Sequence, residues 1–478
     1  MTVNRWDGSS WIEVDKVGDP STDHVVKVKR SDGWEIIWPS DITHVAVSSG
    51  KLTDPATWDG GTVPPDGASV LIKGGKEVTI SSQIQTRHTL VSVDGTIKFD
   101  PTVDSRLRAE TISTSSGSRL EIGTESNPIQ PDVTAEIEFI DQGPIDESED
   151  PERVTKGLLS RGDLEIVGAM KSPPWSSLTS PPTSGDTQIT LSSTPSGWKA
   201  GDEVVIPGLE AYSGLPLSNK DEERTIDSIS GDTITLNSAL QHDHVPPATD
   251  LDTYVLNLNR NVKFYSENTD DLRRGHFMVM STATTIKNLE TKDMGRVDKS
   301  RDVTSPLWDR GKADPETPPN PRARYSLHFH RTGPTEPAHV VQGCVVRRDP
   351  GWAYVNHGSN AIIEDCISYK VLGAGFVAEK GTEAGAFRRN FALRSAGSGE
   401  QTESRKGWSN GFANTIVSPP HNIDDFGHSG HGFWSHSPVI EMEDNIAAGH
   451  RHTGFTFWSR ALYEEPLAAH RDAVRAAQ

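Results

Sequence analysis

From about residue 259 the chain repeats one short theme. Lys287-Asn-Leu-Glu-Thr291, Gly343-Cys-Val-Val-Arg347, Asp365-Cys-Ile-Ser-Tyr369, Asn390-Phe-Ala-Leu-Arg394 and Asn445-Ile-Ala-Ala-Gly449 each lead from a small or polar residue into an apolar strand. Gly343 to Asp365 is 22 residues and Asp365 to Asn390 is 25. A period of 20–25 residues with one short strand per repeat predicts a parallel β-helix, whose coils stack and bury a continuous core. The intervals Asn288–Gly343 and Asn390–Asn445 are 55 residues each, so each holds a long loop or further, poorly matched coils. The aromatics of Gly351-Trp-Ala-Tyr, Gly375-Phe-Val, Gly432-Phe-Trp and Gly454-Phe-Thr recur in step and are expected to stack inside successive coils. Cys344 and Cys366 hold matching positions. Strand spacing of about 4.8 Å predicts stacked, buried thiols, with a disulfide as the alternative.

Upstream, short β-rich runs alternate with Gly, Asp, Asn, Ser and Pro, and helical periodicity is nearly absent. The chain is therefore all-β, except that residues 461–478 read as a short helix or tail. Between residues 44 and 142 the key text is Ala56-Thr-Trp-Asp-Gly-Gly-Thr-Val-Pro-Pro-Asp-Gly-Ala-Ser-Val-Leu-Ile72, then Val91-Ser-Val-Asp-Gly-Thr-Ile-Lys-Phe99 and Ser118-Arg-Leu-Glu-Ile-Gly-Thr-Glu-Ser-Asn-Pro128. This text resembles the eight-glycine domain of the cell-surface and secreted (cell-migration-inducing) hyaluronidases and of fibrocystin-like proteins. Gly275-His-Phe-Met, Met294-Gly-Arg, Tyr325-Ser-Leu-His-Phe-His, His357-Gly-Ser-Asn and Ala378-Glu-Lys-Gly381 continue the resemblance to the hyaluronidases. It implies a right-handed parallel β-helix and a glycan-directed protein. Residues 143–258 read as early coils with an inserted small β-barrel, carried by Gly197–Ile206 and Arg224–Leu236. Residues 259–460 carry the later coils.

Residues 1–43 form a separate unit built on Trp6-Asp-Gly-Ser-Ser-Trp11 and Gly33-Trp-Glu-Ile-Ile-Trp38, where Asp-Gly signals a hairpin and paired tryptophans can supply a small core. It resembles short modules of tailed-virus structural proteins, which implies attachment to other virion tail proteins and, with such fibres, a homotrimer. A net charge of -20 argues against nucleic acid as a partner, because phosphate binding needs clustered Lys and Arg. The same excess of carboxylates suits a high-salt setting. The N-terminus lacks the apolar run of a signal peptide, and no stretch reaches the ~20 apolar residues of a membrane span. A virion tail or extracellular location is expected, without membrane insertion.

Twelve of the 17 histidines follow residue 275. His328 and His330 are two apart, so a strand puts both on one face, and a bend at Arg331 would add a guanidinium. Three readings stay open. The first is polysaccharide cleavage. Here Asp293, Asp298 or Glu379 works with His328 or His330 as acid and base, beside Arg331, and Arg296, Arg324, His357 and Asn360 bind a uronate or sulfate. In the second, His276, His328 and His330 hold a divalent metal ion, zinc, iron, copper or nickel by ligand type. In the third, the histidines only tie turns together, and the protein is an adhesin or structural spike. A free polysaccharide-degrading enzyme is the alternative to a virion component.

Overall fold

The computed structural model describes residues 42–146, 150, 153–208, 220–300, 320–397 and 427–458, with the backbone of four further strands inside residues 1–41. It is an all-β parallel β-helix. Successive strands link into one 27-stranded network that folds into three stacked faces. The first face runs from His44–Ala46 through Gly157–Ser160, His276–Val279, Leu327–Gly333, the first half of Trp352–Glu364, Ala374–Ala378 and His431–Ser435 to Thr453–Phe457. The second face includes Arg119–Ile122, His339–Gln342, the second half of Trp352–Glu364 and Ala384–Arg388. The third includes Val262–Ser266, Val345–Arg347, Ile367–Val371 and Phe391–Ser395. The eight-glycine stretch and the later coils are thus one uninterrupted stack. Each 55-residue interval spans a single coil, since Leu289–Lys292 pairs directly with Val345–Arg347, and Phe391–Ser395 with Ile446–Ala448, one coil further along the third face. The expected helix at 461–478 lies outside the described residues. Among those described, helix is limited to two 3₁₀ turns, Pro55–Thr57 and Asp59–Gly61.

The repeating lead residue is a corner. Asn288, Gly343, Asp365, Arg389 and Asp444 all have φ between +49° and +65°, the left-handed region that Gly, Asn and Asp enter most readily. It turns the chain sharply into each third-face strand. Asn390 then staples neighbouring coils. It is fully buried, accepts from Cys366 N at 3.0 Å, and donates to Ile363 O at 2.8 Å.

Inside the first face Tyr354, Phe376, Phe433 and Phe455 form a column, with centroids 4.7, 4.8 and 4.8 Å apart and planes within 10° of parallel. The expected interior stack is present. Trp434 departs from it because it adjoins Phe433 and so faces the other side of the strand, and Trp352, at the first residue of its strand, lies outside as well. They stack outside the coil with Tyr325, with centroids 5.0 and 5.9 Å apart, in a second small core with Val297, Val355, Ala374 and Val377. Cys344 and Cys366 are buried free thiols on adjacent coils, and Cys344 N approaches Cys366 Sγ at 3.4 Å.

Between Asp163–Val167 and Val262–Ser266 the chain leaves the stack to form a six-stranded antiparallel sheet. A Leu178–Leu191 bridge joins its outer strands, which closes it into the expected small barrel around Ile189, Trp198, Ile226 and Ile234. The barrel docks on the third face. There Val205, Leu256 and Leu258 cover the outward Val345, Ile367, Tyr369, Phe391 and Leu393. Arg394 pairs with the barrel's Asp221 at 2.6 Å. At the N-terminus, four strands between Val3 and Ile36 pair as an antiparallel sheet.

Truncating the middle of the aromatic column, Phe376→Ala, is expected to cost about 3–5 kcal/mol in urea unfolding, whereas Phe455→Ala, at the 44% exposed end, costs much less. Equal losses would contradict the column's place in the core. Burial holds the fully buried His88 and His339 down at about 4, against an ordinary 6.5. The unfolded chain therefore takes up these protons first on acidification. Their contribution to stability is intact above pH 6.5 and is lost as the pH falls from there toward 4. Melting temperatures across that window should fall, and more shallowly in His339→Gln.

Candidate functional site

Along Leu327–Gly333, Leu327 and Phe329 enter the core, so alternation turns His328 and His330 outward. His330 lies directly opposite His357 on the next coil. Asn356 pairs with Ala378, and Ala378 with Ser435, which places Glu379 beside His357 and His436 one coil further. One outer corner thus gathers groups from consecutive coils. The rings of His328 and His330 are 4.9 Å apart by centroid, those of His330 and His357 5.1 Å, and those of His328 and His357 5.7 Å. His330 Nδ1 lies 3.4 Å from His328 Nε2. His357 Nδ1 faces Glu379 Oε2 at 3.1 Å, an ion-pair distance without hydrogen-bond alignment.

The strand bends at Arg331, as its place in the cluster requires. Its φ is +53°, and the ladder slips there before Gly333 pairs with Ser359. The bend brings Arg331 Nε to 3.5 Å from His357 Nε2. Burial, then neighbouring positive charge, keeps His330 neutral well below its ordinary range and holds His328 at about 3. Burial alone would raise the Glu379 carboxyl, but His357 beside it overrides this and keeps it ionised far below the usual carboxylate range. His328 is fully covered, His330 and His357 are partly open, and Arg331 and Lys380 are exposed.

Two supports were not legible as site residues. Glu383 is fully buried and accepts from Gly358 N at 2.9 Å, Lys380 N at 2.5 Å and Gly381 N at 2.8 Å. It ties the turn carrying His357 to the turn carrying Glu379. Asn356 donates to Ala384 O at 2.9 Å and accepts from Ser359 N at 3.2 Å. The segment Lys380-Gly-Thr-Glu383 offered a signal, because a carboxylate three residues after a turn can cap the turn's N–H groups.

Other predicted residues have different places. Arg296 is buried and donates to the carbonyls of Lys156, Arg274, Arg153 and Thr155, so its guanidinium holds the fold together. Arg324 is 7% exposed and donates to Arg153 O and Arg322 O. Asn360 Nδ2 closes a turn on Glu336 O at 3.0 Å. Asp293 turns the corner after Leu289–Lys292, 3.9 Å from Arg348, and Asp298 accepts from Ser300 N and Oγ. His276, on the preceding coil, donates Nδ1 to Lys156 O at 2.9 Å. Among the described residues, the nitrogens that lie within 4.8 Å of one another belong to His328, His330 and His357. The metal set of His276, His328 and His330 is corrected accordingly, with His357 in place of His276.

The comparisons with known proteins agree with this architecture. Residues 57–179 match the G8 domain model, and residues 320–476 match that of the CEMIP beta-helix. Two separate stretches of the chain are thus similar to these two models, and the histidine corner lies inside the second match. Mouse Fibrocystin-L is 25% identical over 438 residues, covering 84% of this chain and 10% of that protein. Human Fibrocystin-L is 25% identical over 443 residues, with the same coverage. A G8 domain-containing protein of Dictyostelium discoideum is 23% identical over 392 residues, covering 77% of this chain and 24% of its own. The chain spans about a tenth of the length of the Fibrocystin-L relatives. Among solved structures, the Gp54 tailspike of Acinetobacter baumannii bacteriophage AP22, in complex with capsular saccharide, aligns at TM-score 0.20 and 11% identity over 72% of this chain and 58% of its own. The gp49 tailspike of Pseudomonas phage LKA1 aligns at 0.17 and 12% over 82% and 74%. At those scores the alignments carry no argument. Among the described residues no helix is long and apolar enough to cross a membrane.

Glu383→Ala should leave the buried Gly358 N–H and the part-buried Lys380 and Gly381 N–H groups without their acceptor and cost about 1–3 kcal/mol. Amide exchange should accelerate at Gly358, Lys380 and Gly381 ahead of the core. Unchanged protection at those amides would contradict the tie.

Proposed function

We propose that the chain binds an anionic polysaccharide across the outer corner of the first face and cleaves it there. The observation that carries this reading is the convergence of His328, His330, His357 and Glu379 from successive coils, with Arg331 bent in beside them. A stack of coils offers an extended surface along which a polymer can lie. Against a net charge of -20, cations here are local: Arg331 and Lys380 are exposed and Arg322 is half-buried. Their guanidinium and ammonium groups suit the carboxylate of a uronate or a sulfate. The partly open His330 and His357, with the ionised Glu379, supply the proton-transferring groups that breaking a glycosidic linkage needs. The match of residues 320–476 to the CEMIP beta-helix supports a hyaluronidase-like substrate class. The setting in this reading is extracellular, at a cell surface or on a particle. In a virion tail, the N-terminal four-stranded sheet would be the attachment to other tail proteins, with the chain as a homotrimer.

The test is depolymerisation by the purified chain, scored by polymer length, on a panel of hyaluronan, sulfated glycans and bacterial capsules. At least one anionic polymer should shorten. His330→Ala should slow shortening by about 100-fold or more, and Arg331→Ala should act mainly by weakening binding. If no polymer is shortened by the wild-type chain, or shortening persists unchanged in His330→Ala/His357→Ala, the cleavage reading fails. Binding that also persists unchanged makes the protein an adhesin with structural histidines.

A further inference from the structure

The geometry points to a three-imidazole site for a single first-row divalent ion of the zinc class, held by His328 Nε2, His330 Nδ1 and His357 Nε2. One nitrogen from each of the three rings lies within 4.8 Å of the others. His330 Nδ1 and His328 Nε2 are 3.4 Å apart. Zn–N bonds of about 2.0–2.1 Å in a tetrahedron put two ligand nitrogens about 3.3 Å apart, so this edge is already set.

The other nitrogen of His328 is engaged, which fixes its lone pair, and that of His357 faces a carboxylate. His328 Nδ1 lies 3.2 Å from Ala323 O. A carbonyl can only accept, so the ring proton is on Nδ1 and the Nε2 lone pair faces the cluster. His357 Nδ1 faces the Glu379 carboxylate at 3.1 Å, which favours the same tautomer and leaves Nε2 as the free lone pair. An outer carboxylate or carbonyl behind each ligating imidazole is the arrangement that orients rings for a metal and strengthens them as donors. Arg331 Nε, 3.5 Å from His357 Nε2, is at the limit of a hydrogen bond and must swing aside as the ion enters. Its exposure leaves room for that. Three nitrogen ligands leave a fourth position open, on the side where His330 and His357 reach solvent. The donor set excludes calcium, which needs six to eight oxygens.

This site does not depend on the glycan reading. If the ion is present, the imidazoles act as ligands and Glu379 as the group that positions His357. The experiment uses the untagged full-length chain, stripped with chelator, dialysed and titrated with zinc chloride. Cobalt is the spectroscopic probe, and circular dichroism confirms that each variant is folded. One equivalent of zinc per chain is expected, along with a visible cobalt spectrum of low-coordinate nitrogen ligation. His330→Ala and His357→Ala should each weaken zinc at least about 100-fold, and Glu379→Gln, through its effect on His357, by about 10–100-fold. The absence of one-equivalent binding in the wild-type chain overturns the inference. So does binding that is equal in His330→Ala and His357→Ala, which would mean an adventitious surface ion. Zinc binding without polymer cleavage overturns only the proposed function.

Discussion

Everything in this molecule depends on the strict parallel register of successive coils. A strand-to-strand step of about 4.8 Å carries no freedom along the stack, so residues at matching places in consecutive repeats must lie in columns. Inside, that constraint produces Tyr354, Phe376, Phe433 and Phe455 with near-parallel rings. At the corner, it produces His330, His357 and Glu379 one above another. The same mechanism builds the core and the site, and the side of the strand decides which. Slipping one coil by one residue would exchange Phe329 for His330 and destroy both.

A β-helix face exposes alternate side chains, and this chain deals with its outward apolar residues in two ways. On the third face the inserted barrel covers them, adding the Arg394–Asp221 pair at its edge. On the first face, Val297 and Tyr325 lie over Trp352 and Trp434. That outer layer ends at the histidine corner, where Tyr325 meets the His328 ring edge-on at 5.4 Å. The corner is therefore walled by aromatics on one side and opens to solvent at Arg331 and Lys380. Beneath it Glu383 binds two turns together through their N–H groups. An acidic protein thus keeps a rigid, locally cationic patch in one place.

Much of the fold was legible because β-helix corners leave marks in sequence. Asn288, Gly343 and Asp365 are residue types that tolerate positive φ, and the apolar residues after them set the repeat. The aromatic column was legible by its step, but Trp352 and Trp434 were not separable from Tyr354 and Phe433. Phe433 and Trp434 are neighbours that point to opposite sides, with a phase set by what covers the outside. Trp352 starts its strand two residues before Tyr354, where simple alternation would have put both on one side. For the site, His328, His330, Arg331, His357 and Glu379 were all visible as candidates. Their grouping was less so. His276 looked equivalent to His357, because the uneven spacing of the repeats in the sequence hides which coil faces His328 and His330. Arg296 looked like a surface cation because sequence does not show the four carbonyls that surround it. Glu383 was missed because its role is to hold backbone, whose one mark in the sequence is the short turn segment Lys380-Gly-Thr-Glu383.

The central claim is that coil register places residue 330 directly against residue 357 and one step further from residue 379. Paired cysteines test it. Neighbouring coils put Cα atoms about 5 Å apart, and alternate coils about 10 Å apart, while a disulfide needs less than about 7 Å. Under mild oxidation, His330→Cys/His357→Cys should form an intramolecular disulfide in nearly every folded chain, and His330→Cys/Glu379→Cys should not. Efficient closure of the second pair, or none in the first, would contradict the register and with it the site.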